Sequence, residues 1–269
     1  MQKIIFSILA TGVALTAWSQ EIKLPVGKKF QLLTEIKGTN VTSMMGQDME
    51  MSTTSIIYAD HELKSKGNNK FTMGLTIKRI TGSVAMMGQE QNFDSDDESL
   101  RSNPAMSEAF KPLGKETEIV VEGGKVVANG ALADAAKVIT GNTSDLNELS
   151  RVFLLLNDAD IKTGHKWTTN TSSENTSTEN NLSIEKVTDT EIEVKVNSKV
   201  KVSGTSNMNG MEVKQQTEGQ LTYTRIYDKS TRLLISEVST GNVKGNMEVM
   251  GQQMPLTSKV ETKTSVKLL

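Results

Sequence analysis

The sequence predicts a mainly β protein of the α+β kind. Two antiparallel, long-stranded meanders related by duplication are joined by a helical insert that contains a short hairpin. Three observations predict this. The first is strict alternation: Ile192, Val194, Val196, Val200 and Val202 sit on even positions, with Glu191, Glu193, Lys195, Asn197, Lys199 and Lys201 between them. Side chains on a strand point alternately to its two faces, so this is a strand with one buried and one wet face. The second is regular turn chemistry, with Gly46, Gly67-Asn68-Asn69, Gly88, Asn209-Gly210, Asp228-Lys229-Ser230 and Gly251 lying between alternating runs. The third is an internal repeat. Met44-Met45-Gly46-Gln47 recurs as Met86-Met87-Gly88-Gln89 and as Val249-Met250-Gly251-Gln252.

Residues 1–19 read as a secretory signal peptide. Lys3 is the positive n-region, Ile4 to Ala17 is almost wholly apolar, and Ala17-Trp18-Ser19 offers small residues for cleavage before Gln20. A membrane anchor would need roughly 20 apolar residues, and Glu21 and Lys23 follow too soon for that. The expectation is an exported mature chain, periplasmic or extracellular, with no membrane span once the signal is removed.

The first meander covers 20–95. Phe71, Met73, Leu75 and Ile77 alternate with polar residues, and the pattern slips at Arg79/Ile80, which predicts a bulge. The insert covers 96–163. Helices are expected over Asn103–Lys111, Leu132–Ile139 and Ser144–Asn157. In the last of these, Leu146, Leu149, Val152 and Phe153 recur at helical spacing behind an N-cap at Ser144 or Asp145. Glu116–Val121 and Lys125–Asn129 flank a Gly-Gly turn and read as a hairpin. The second meander covers 164–269. Its Thr-, Ser- and Asn-rich stretch 168–183 reads as a polar edge hairpin, with a disordered linker as the alternative. In the last strand Val260, Thr262, Thr264, Val266 and Leu268 alternate with Lys259, Glu261, Lys263 and Lys267.

Several of these phrases together resemble an uncharacterised family of secreted Bacteroidota proteins, a family of unknown function. The residues that carry the resemblance are the signal segment, Asn92-Phe93-Asp94-Ser95 closing the first meander, the Glu116–Asn129 hairpin, and Gly164-His165-Lys166-Trp167 opening the second meander. The family's usual Asp in that last phrase is His165 here. The resemblance implies an outline similar to the curved, half-open sheets of bacterial envelope lipid carriers.

Composition excludes much. Lys and Arg total 30 against 32 Asp and Glu, so the basic excess that nucleic-acid binding draws on is missing. The absence of Cys removes disulfides, thiolate metal sites, thiol nucleophiles and a lipid-modified N-terminal Cys. No Gly-x-Ser-x-Gly, Ser-x-x-Lys or His-Glu-x-x-His motif is present, so no catalytic residue, metal ligand or cofactor is expected. His61 and His165 read as exposed loop residues. The acidic run Asp94, Asp96, Asp97, Glu98 reads as a solvated loop, with calcium as the alternative.

Eleven of the 14 methionines lie near the four Gly turns. Alternate turns of a meander share one end, so the thioethers should gather there. They can cap the core, form a soft docking surface, or hold copper(I). The candidate binding residues are Met45, Met87 and Met250, together with Leu149 and Phe153 on the insert. The function expected from these readings is non-enzymatic binding of an apolar small molecule, a lipid or an envelope protein. The alternatives are a structural module without a pocket and, third, a hydrolase.

Overall fold

The computed structural model describes residues 22–44, 47–67, 70–101, 110–127, 146–172, 175–208, 211–249 and 251–269. Twelve strands follow in chain order. The first four are β1 (Lys29–Met44), β2 (Gln47–Gly67), β3 (Lys70–Met86) and β4 (Gln89–Asp94). The short pair β5 (Glu116–Glu122) and β6 (Lys125–Val127) comes next. The second meander supplies β7 (Lys166–Ser172), β8 (Thr176–Val187), β9 (Glu191–Met208), β10 (Met211–Asp228), β11 (Leu234–Val249) and β12 (Gln252–Leu268).

All twelve form a single antiparallel sheet. The order is β6-β5-β3-β2-β1-β12-β11-β10-β9-β8-β7, with β4 alongside the far half of β3. The two meanders are therefore joined edge to edge. β1 runs against β12 from Phe30↔Leu268 to Thr42↔Leu256. This pairing brings the two ends of the chain's strand region together and places all four repeated turns at one end of one sheet. We call that end the tip end. The turns at Met87-Gly88 and Gly251 lie there directly, and the pairs Met44↔Gln47 and Met208↔Met211 bracket the other two. The opposite end is the base. The polar stretch 168–183 forms the β7–β8 hairpin and supplies one edge of the sheet.

Alternation places the side chains as the sequence implies. Phe71, Val194 and Val196 are buried, while Lys195 and Lys199 are exposed. The bulge occurs within two residues of the slip in the pattern: Tyr58 pairs Arg79 but Ala59 pairs Ile77, which leaves Lys78 as the extra residue. Close packing at β3–β4 requires Gly82, because a Cβ there would lie 2.6 Å from the Phe93 ring.

The insert departs from expectation. The expected helix over 144–157 is a 3-10 helix at Leu146–Val152, after which the chain runs extended and Phe153 makes a bridge to Leu233. The reason is that two cores compete for its apolar run. Phe153 and Leu155 pack with the β1–β3 core, whereas Leu154 and Leu156 pack with the β8–β11 core. Only an extended chain sends successive side chains to opposite sides. Of the expected helix at 103–111, only Phe110 and Lys111 lie among the described residues, and Leu132–Ile139 lies outside them.

The core fills the base half of one face. Phe30, Leu63, Met73, Leu75, Ile77 and Ile119 are almost wholly buried beneath Ile22, Leu24, Phe110, Leu149 and Phe153. Phe153 meets Phe30 and Phe71 edge-on, with ring centroids 6.0 and 5.6 Å away. Such pairs add about 1 kcal/mol each beyond area burial.

His61 corrects the expectation of an exposed loop residue. It follows Ile57 and Ala59 on the core face of β2, is 3% exposed and stacks on Phe30 at 5.2 Å. Burial pushes its pKa down to about 4, against a hydrogen bond to the Ala59 backbone that favours protonation.

Candidate binding face

Among the described residues, the segments that cover the core lie over the base part of the sheet. Their last anchor is a buried ion cluster. Arg225 Nε donates to Glu237 Oε2 at 2.6 Å across the β10–β11 pair, and Arg151 Nε, on the crossing segment, lies 3.2 Å from Glu237 Oε1. Glu237 is 1% exposed. Burial pushes its carboxyl up, but the two guanidiniums outweigh this and hold it below its ordinary value. Tyr227 Oη donates to the Arg151 carbonyl at 3.0 Å, and Arg225 lies 4.9 Å from the centre of the Tyr223 ring. A second tie holds the segment farther along: Arg232 and Lys23 both donate to Asp158, at 2.6 and 2.8 Å.

Beyond Glu237 and Arg225 the same face continues toward the tips. Register defines it. Gly38, Asn40 and Thr42 on β1 meet Thr53, Met51 and Met49 on β2, and Val84 and Met86 follow on β3. In the other direction lie Val260, Ser258, Leu256 and Met254 on β12, then Gly241, Val243, Gly245 and Met247 on β11, then Leu221, Gly219 and Thr217 on β10. Val200 and Val202 continue it on β9. From these pairings, no ionisable side chain lies on this stretch of the face among the described residues. In a chain with 23% charged residues the segregation is complete, because Lys and Glu occupy the other side of the same strands.

The floor of this stretch is shallow. Leu221 stands opposite Gly241, and Val243 opposite Gly219. A Cβ on Gly241 would come 2.7 Å from Leu221 Cγ, and one on Gly219 would come 2.8 Å from Val243 Cγ2. The large side chains thus lie flat over neighbouring glycines. Leu221, Val243, Met247, Met254 and Leu256 are half-buried, outside both core clusters.

Of the sequence-derived candidates, only Met87, Leu149 and Phe153 are among the described residues. Met45 and Met250 lie outside the described residues. Met87 is at the β3–β4 tip, 76% exposed, with a left-handed φ of 53°. Leu149 and Phe153 are 5% and 3% exposed in the base core. Sixteen residues of β3 separate Met87 from Phe71, the neighbour of Phe153, which is roughly 50 Å at a strand's rise per residue. The structure therefore does not bring Met87 together with Leu149 and Phe153. The flat floor and the Arg–Glu–Arg cluster went unread. Their signals were the regular glycines of β10 and β11 and the lone charges Arg225 and Glu237 on the inward parity.

The acidic run is occupied with local structure. Arg79 pairs with Asp94 and Asp96, and Asp97 Oδ1 accepts the Ser99 amide at 2.9 Å and its hydroxyl at 2.7 Å. No group of acidic or histidine side chains spaced to hold a metal occurs among the described residues. No helix there is long and apolar enough to cross a membrane.

Comparison with known proteins adds the following. A family model described as a family of unknown function (DUF6263) matches residues 131–234. No curated protein matches. Among solved structures, lipovitellin, in a structure concerned with lipid–protein interactions, superposes with a TM-score of 0.55 at 10% identity, over 90% of this chain and 25% of its own. This chain thus spans about a quarter of the lipovitellin chain it matches. An outer membrane channel from Pseudomonas putida F1 matches at a TM-score of 0.30 and 9% identity, over 94% and 98% of the two chains. The chain is similar in fold to part of lipovitellin, and part of its sequence matches a family without a known function.

Proposed function

We propose that the chain is an exported, non-enzymatic binding protein of the bacterial envelope, of the secreted Bacteroidota kind, and that it holds an apolar molecule of the lipid class. One observation carries the reading. The face of the sheet beyond Glu237 and Arg225 has no charge among the described residues and keeps half-buried Leu, Val and Met side chains that belong to neither core cluster. A contiguous run of partly exposed apolar side chains marks a binding site more often than a defect. Its flat, glycine-relieved floor suits an extended acyl chain, and its methionines adapt to irregular shapes. The likeness in fold to lipovitellin, whose structure was studied for lipid–protein interactions, supports the same class of ligand. The export expectation rests on the apolar run of residues 4–17.

A second reading is favoured by the filled base core. Phe30, Phe71 and Phe153 leave no room between sheet and insert, as a surface module that docks another envelope protein would have it. Native mass spectrometry of protein taken from its own envelope separates the two. A bound mass in the lipid range supports the first reading. A chain that carries only another protein supports the second.

A further inference from the structure

The opposite side of the same strands carries a second site of different chemistry. A cleft of about 710 Å³ opens there across β9 to β12, with β1 at its margin. Four lysines line it: Lys199 and Lys201 on β9, Lys244 on β11 and Lys259 on β12. Glu218 is the single acid among the lining residues. Register fixes two rows. One runs Lys201–Glu218–Lys244, and the other Lys199–Gln220–Asn242–Lys259. Lys199, Lys201 and Lys244 form no ion pair among the described residues, although Glu218 stands beside two of them in register. Lys259 pairs with Glu261 at 3.0 Å at the cleft's edge. Glu179 on β8 also stands opposite Lys199 in register, so the four cations keep only a small excess over Glu179, Glu218 and Glu261, and an anion between them offsets that excess.

We infer that this cleft binds an anion bearing two or more phosphate groups. Charge complementarity decides the sign. The residue type suits phosphate: lysine meets it as a compact point charge with three donors. The layout decides the number of groups. The cations form two pairs. Lys199 and Lys201 are two residues apart on one strand, and Lys244 and Lys259 are diagonal across the β11–β12 pair. From β9 to β11 and β12 is two and three strand spacings, roughly 10 and 14 Å. One phosphate cannot satisfy both pairs, but two linked phosphates can. The amides of Gln220 and Asn242 lie between the pairs and supply donors to the linking atoms.

Two sources share this chemistry: a free polyphosphate and the headgroup of a bis-phosphate lipid. The test uses the mature chain and two probes. Inorganic tripolyphosphate is titrated calorimetrically, and phosphatidylcholine vesicles with and without cardiolipin are used in co-sedimentation. The variant Lys199→Gln/Lys201→Gln/Lys244→Gln/Lys259→Gln is compared with Lys28→Gln/Lys115→Gln/Lys125→Gln/Lys267→Gln, which removes the same charge from exposed positions outside the cleft. Binding to either probe that weakens at least about tenfold in the first variant, and far less in the second, supports the site. Tripolyphosphate alone then identifies a free anion, and cardiolipin vesicles alone a lipid headgroup. Equal losses in the two variants, or no binding of either probe by the unmodified chain, overturn it.

Discussion

Arg151 Nε lies 3.2 Å from Glu237 Oε1, and this contact ties the segment crossing the sheet to β11, where covered face becomes open face. Arg225 completes the cluster from β10. A buried carboxylate between two guanidiniums is costly to break and less costly to replace altogether. Glu237→Leu alone should cost about 3–5 kcal/mol, because it removes the buried carboxylate that both guanidiniums share. The triple change Arg151→Met/Arg225→Met/Glu237→Leu should recover much of that loss. Urea unfolding midpoints measure both, and a triple variant no better than the single one would refute the cluster's role as a pair-dependent tie.

His61 sets an acid limit on stability. Its folded pKa is near 4, below the ordinary 6.5. The unfolded chain therefore takes up a proton first as pH falls. The contribution is complete above pH 6.5 and is lost as pH drops toward 4, about 3 kcal/mol in all. Glu237 adds a loss of the same sign at lower pH, beginning near its unfolded value of 4.5, since its folded pKa is also depressed. Replacing His61 by Leu should flatten the fall between pH 6.5 and 4 and leave the lower one. Denaturant titrations across that range check this.

The β3–β4 turn stores strain that a single substitution relieves. Met87 and Gly88 both have positive φ, 53° and 79°, as a type I′ turn requires. Gly tolerates this, whereas Met costs about 1 kcal/mol or more. Met87→Asn should raise stability by roughly 0.5–1 kcal/mol. The thermal midpoint reads it, and a lower midpoint would contradict the turn assignment.

Phe153→Ala should cost about 3–5 kcal/mol, since the ring fills the space between Phe30 and Phe71. Val243→Asn, on the open face, should cost well under about 1 kcal/mol. Calorimetric unfolding of the two variants measures the contrast between filled core and open floor.

How much of this was legible depended on the range of the signal. Alternation at Ile192–Val202 and Phe71–Ile77 fixed faces from neighbours alone, and the Gly turns fixed strand ends. The pairing of Phe30 with Leu268 is a contact between strands more than 200 residues apart, and no local pattern encodes it. Without it the two meanders read as separate. Leu146, Leu149, Val152 and Phe153 did match a helix, but the two cores on either side of Leu154 favoured extended chain. His61 was legible in the parity of Ile57, Ala59 and Leu63, and was misread because polar residues beside turns are usually exposed. The methionines cluster at the tips. The proposed floor lies between them and the core, where Leu221, Val243 and Leu256 are set among Gly219, Gly241 and Gly245, glycines within strands whose cross-strand neighbours no local pattern reveals.

The charge-free face is proposed to hold an apolar ligand. The most direct measurement is the affinity of the mature chain for a fluorescent fatty acid, compared with the variant Leu221→Asn/Val243→Asn/Leu256→Asn. These three side chains lie outside both core clusters, so the variant should unfold within about 1–2 kcal/mol of the unmodified chain. Binding by the unmodified chain and at least about a tenfold loss in the folded variant are expected. Equal affinity in both, or no binding by the unmodified chain, would contradict the proposal.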